Sequence, residues 1–110
     1  MHESSLFTVP LFSVEVNNWE EKKRIILDRS KDLQEYGSIN TNYNERSRDL
    51  IGVQSLFKEE IGEVSQRFES NLDVRSSWVE KAEKGMYHPI HNHGQVGLSA
   101  ICYVEFDNEV

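Results

Sequence analysis

Hydrophobic and polar positions change period along this chain, and each period predicts an element. In residues 6–16, Phe7, Val9 and Leu11 alternate with Thr8, and Phe12, Val14 and Val16 alternate with Ser13 and Glu15. Side chains two apart share one face of a strand, so this block predicts a strand. The phase slips at Pro10-Leu11, and a proline there marks an edge strand or a bulge. Asn17-Asn18 then offers a helix N-cap, with Glu20 and Glu21 in the first turn, where negative charge suits the helix dipole. Trp19, Ile26 and Leu33 recur at seven-residue steps with Ile25 and Tyr36 beside them, which predicts a first helix over residues 19–36 with Gly37 ending it.

Residues 38–44 are polar and rich in asparagine and predict a loop. The strongest periodic signal follows. Leu50, Val53, Phe57, Ile61, Val64, Phe68 and Leu72 are spaced by threes and fours, predicting a second helix over residues 47–72 that Gly52 and Gly62 weaken slightly. Residues 74–84 predict a strand centred on Trp78 and Val79, and residues 98–106 predict another. The latter is apolar on both faces: Leu98, Ala100, Cys102, Val104 and Phe106 on one, Ile101 and Tyr103 on the other. Such a strand is expected to be buried on both sides. The order predicts one α+β domain, with a strand and two packing helices over residues 1–72 and a mostly antiparallel sheet region over residues 73–110. A doubly buried strand needs neighbours on both edges, so the sheet is expected to be completed either by another chain or by a longer stretch of this one.

Composition narrows the class. With 110 residues, 37% hydrophobic and 28% charged, the chain has enough apolar content for a single core. A net charge of −7 gives no bulk attraction to phosphate backbones or anionic lipid, which argues against nucleic acid or membrane as the main partner. The single cysteine, Cys102, excludes an internal disulfide and suits a reducing cytoplasm. Residues 1–10 do not read as a signal peptide, and no apolar run approaches a membrane span.

The candidate chemistry is concentrated in Gly85-Met86-Tyr87-His88-Pro89-Ile90-His91-Asn92-His93-Gly94, which holds three of the four histidines. In extended backbone, His91 and His93 project to one side and can grip one metal ion together. Imidazole suits iron, zinc, copper and nickel, and open coordination positions permit chemistry at the ion. His88, out of register with that pair and next to Pro89, is a candidate third ligand or a hydrogen-bonding partner of the other two. His2 is terminal and has no expected role.

Trp78, Lys84-Gly85, His91-Asn92-His93 and the Leu98–Val104 run together resemble the 2-oxoglutarate/Fe(II) oxygenases common in marine cyanophages and bacteria. The opening stretch, Phe7 through Phe12, is similar as well. The resemblance implies a double-stranded β-helix (jelly-roll) fold, of which this chain would be the first part, still incomplete. It also implies iron(II) and 2-oxoglutarate as cofactors, hydroxylase-type oxidation of an unknown substrate, and a cytoplasmic location (the host cytoplasm if phage-encoded). His91 would be the first iron ligand, and His93 would stand where the wider superfamily carries an acidic ligand. Tyr103 could face the cosubstrate, with Ser99 and Cys102 in packing roles. Ala100 and Cys102 depart from the family's usual glycine and tyrosine. The distal histidine and the basic anchor for the keto acid have no counterpart in residues 1–72. A cupin reading accounts for Gly85, His91 and His93 but finds Gly97 and Leu98 where that motif needs a glutamate. A catalytically silent metal-binding or interaction module is the reading from a different class. Oligomeric state stays open, a homo-oligomer included.

Overall fold

The computed structural model describes residues 12–36, 39–82 and 97–105, and for residues 34–36 the backbone alone. It is an α+β arrangement. Helix α1 (Trp19–Arg29) leads into a hairpin of β1 (Gln34–Tyr36) and β2 (Ile39–Thr41). A 3-10 helix (Tyr43–Arg48), a short α2 (Val53–Leu56) and α3 (Lys58–Arg67) follow, and β3 (Glu80–Lys81) completes a three-stranded antiparallel sheet of order β1-β2-β3.

The first helix begins where the sequence predicts, with Glu20 and Glu21 in its first turn and Arg29 in its last, each favourable to the dipole. It stops seven residues earlier than the predicted end at 36. Ser30 Oγ donates to the carbonyls of Ile26 at 2.7 Å and Leu27 at 3.3 Å, satisfying acceptors the helix leaves open at its end. The chain then reverses as a hairpin, pairing Gln34 with Thr41 and Tyr36 with Ile39. Residues 39–41 of the expected loop at 38–44 are therefore strand β2, and residues 43 and 44 open the 3-10 helix. Gly37-Ser38 has the composition of a two-residue hairpin link, a signal that competes with a helix stop. The hairpin prevails because β2 buries Ile39 and Thr41. The Thr41 hydroxyl stays satisfied there, donating to Val79 O at 2.6 Å and accepting from the Tyr43 amide at 3.1 Å.

The single long helix expected over 47–72 is broken into three. Asp49 (φ 48°) and Gly52 (φ 78°) both adopt left-handed backbone, which a continuous helix cannot accommodate. The break re-aims the apolar stripe: Leu50 is 42% exposed, while its neighbour Ile51, at 1%, is the most deeply buried large side chain described. Gly52 is required twice over. A Cβ there would lie 2.9 Å from Arg29 Nη1, whose guanidinium donates to Ile51 O at 2.6 Å and so ties α1 to the break. A second irregularity at Phe57 (φ −108°, ψ 28°) separates α2 from α3. Helix α3 ends at Arg67, with Glu69 left-handed at φ 52°. The core of the described residues is small, with Ile26, Ile39 and Ile51 as its buried hydrophobics.

Three expected strands differ from the structure where it describes them. Within 74–84, only Glu80 and Lys81 enter a ladder, pairing with Thr41 and Asn40, and residues 83 and 84 lie outside the described residues. Residues 72–79 are held instead by isolated hydrogen bonds, three of the backbone amides donating to side chains and one to a backbone carbonyl. Residues 98–105 join no ladder, and Ile101 is 77% and Tyr103 72% exposed, so this stretch is not the doubly buried strand its composition predicts. Of the predicted first strand, residues 6–11 lie outside the described residues. Residues 12–16 form no ladder, and Phe12 meets the Phe68 ring edge-on at 5.3 Å, near the end of α3.

Candidate metal centre

The predicted donors, His88, His91 and His93, lie outside the described residues, as does His2. Among the described residues, no group of three or more His, Cys, Asp or Glu is placed to hold a metal ion. The expectation of a metal centre therefore rests on the sequence alone. Two neutral nitrogen donors two residues apart suit a divalent first-row ion and add no charge to it.

What the structure does describe is the segment entering the motif. Residues 72–81 run from the end of α3 to β3 and are fastened at nearly every second residue. The Leu72 amide donates to Ser65 Oγ at 3.2 Å, and the Val74 amide to Gln54 Oε1 at 2.6 Å. The Ser77 amide donates to Arg46 O at 2.9 Å, and the Val79 amide to Asn42 Oδ1 at 2.8 Å. Three of these acceptors are side chains and the fourth is the Arg46 backbone carbonyl, so residues 72–79 are tied down without entering a ladder.

Asp49 is the junction of this lacing. Its carboxylate accepts the Val53 amide at 2.8 Å and the Gln54 amide at 3.2 Å, capping the start of α2, and takes the Ser77 hydroxyl at 2.6 Å. Partial burial opposes its charge, but the hydrogen bonds from Ser77, Val53, Gln54 and Gly52 prevail and hold the carboxyl below its ordinary value. Beside it, Tyr43 and Trp78 meet edge-to-face at 5.0 Å and 84°, with the Arg46 guanidinium 4.1 Å above the Tyr43 ring. The Trp78 indole N–H donates to Glu80 Oε1 at 3.0 Å, inside β3. Trp78, read from the sequence as part of the strand leading to the motif, thus braces that approach against the 3-10 helix.

A buried acid joins the helices. Glu60, 7% exposed, accepts Lys22 Nζ on both carboxylate oxygens at 3.0 Å and the Asn17 amide at 3.0 Å. Desolvation opposes its charge, and the Asn17 amide and Lys22 ammonium outweigh that, lowering its pKa. Neither Asp49 nor Glu60 was singled out by periodicity. The available signals were an aspartate three residues before a glycine at a helix start, and an acid on the same helical face as Phe57 and Val64.

On the far side of the motif, Tyr103 and Cys102 are exposed, as is Ser99, so the packing roles expected for Ser99 and Cys102 are not seen. No helix among the described residues is long and apolar enough to cross a membrane. No protein-family model, curated protein or solved structure matches this chain.

Proposed function

We propose that this chain carries the metal-binding portion of an iron(II)/2-oxoglutarate-dependent oxygenase with a double-stranded β-helix core. In this reading His91 and His93 are the protein donors, His88 is their neighbour and Tyr103 lies toward the cosubstrate. The observation that carries it is the His91-Asn92-His93 element, six residues after Gly85 and preceded by a Trp-bearing segment. The lacing of residues 72–81 supports it, because a metal loop needs a fixed approach for its donors to be pre-positioned. When bound, iron with 2-oxoglutarate supplies the oxidising power to hydroxylate an unactivated C–H bond.

The chain's own part is to present two lone pairs. Each imidazole must be neutral to do so, so uptake weakens as pH falls through the histidine range near about 6.5. With His93 in place of a carboxylate, the site is one charge more positive than a two-histidine, one-carboxylate site. That strengthens its hold on an anionic keto acid and weakens its hold on the ion. Asn92, of opposite register, would lie on the other side of the ribbon.

The test is a calorimetric titration of the purified protein with Fe(II) under argon, followed by 2-oxoglutarate. Wild type is expected to bind one ion and then develop a weak visible charge-transfer band. His91→Ala is expected to lose at least tenfold in metal affinity, and His2→Ala none. Equal affinity for wild type and His91→Ala removes the assignment. Uptake of zinc or nickel with no band under Fe(II) and 2-oxoglutarate identifies a silent metal-binding module instead.

A further inference from the structure

We draw no further inference here: the strongest candidate, the exposed apolar stretch at residues 97–105 that carries Leu98, Ile101 and Tyr103, supports none because nothing in the structure shows what covers it.

Discussion

Replacing Glu60 by glutamine tests how α1 is held against α3. The substitution keeps the shape and one acceptor oxygen and removes the charge. The Lys22–Glu60 pair sits at 3.0 Å with side chains 11% and 9% exposed. At that separation, two unit charges attract by roughly 5–6 kcal/mol at an effective dielectric constant of about 20. Desolvation of both ions consumes most of that. What survives is on the scale of a charge-assisted hydrogen bond, about 2 kcal/mol. For a chain of this length, that corresponds to a melting temperature lowered by roughly 9 °C. The pH dependence supplies an independent reading. Because Glu60 is held below the ordinary glutamate value of 4.5, its contribution is complete above that pH and is lost as pH falls through the lower folded-state value. Wild type should therefore lose its advantage over Glu60→Gln in acid and keep it at neutral pH. Thermal unfolding followed by circular dichroism, for Glu60→Gln, Lys22→Met and the double variant, provides the cycle. A coupling between them of about 1–2 kcal/mol is expected. Strictly additive effects, or a Glu60→Gln protein as stable as wild type at pH 7, would refute the reasoning.

Other substitutions probe the remaining devices. Gly52→Ala forces a side chain into left-handed backbone 2.9 Å from Arg29 Nη1, and urea denaturation should show a loss of about 1–3 kcal/mol. Asp49→Ala removes both the cap on α2 and the Ser77 partner. It should cost about 2 kcal/mol, against about 1 for Ser77→Ala, and hydrogen exchange should rise at the amides of Val53 and Gln54. An equal, negligible effect of the two would mean the carboxylate is not the junction. Ile101→Ser, at a side chain 77% exposed, should alter stability by no more than about 0.5 kcal/mol. A loss above 2 kcal/mol would show that this side chain is covered in solution.

Legibility in the sequence followed the range of the interaction responsible. The start of α1 was readable from the acidic first turn, Glu20 and Glu21, which suits the helix dipole locally, although Asn18 makes no side-chain capping bond. The α+β class and a helix through Ile61 and Val64 were readable for the same reason: local period sets which face is apolar. The helix break at Asp49–Gly52 was not. Asp49 is tied to Ser77, twenty-eight residues away, and Gly52, whose positive φ calls for glycine, lies against the Arg29 guanidinium of α1. Strand β2 reads as a loop in the sequence because its polar Asn40 and Thr41 are placed by pairing with β1 and with Lys81 and Glu80, and by the bond to Val79. The proposed metal motif is read from local spacing alone, since two histidines at strand spacing need no distant residue to suggest a shared ion. The proposed donors are thus named from the local sequence alone. Where the backbone turns, and which of Leu50 and Ile51 is buried, was decided by tertiary contacts, because a hydrogen bond or close approach between distant residues leaves no periodic trace in the chain.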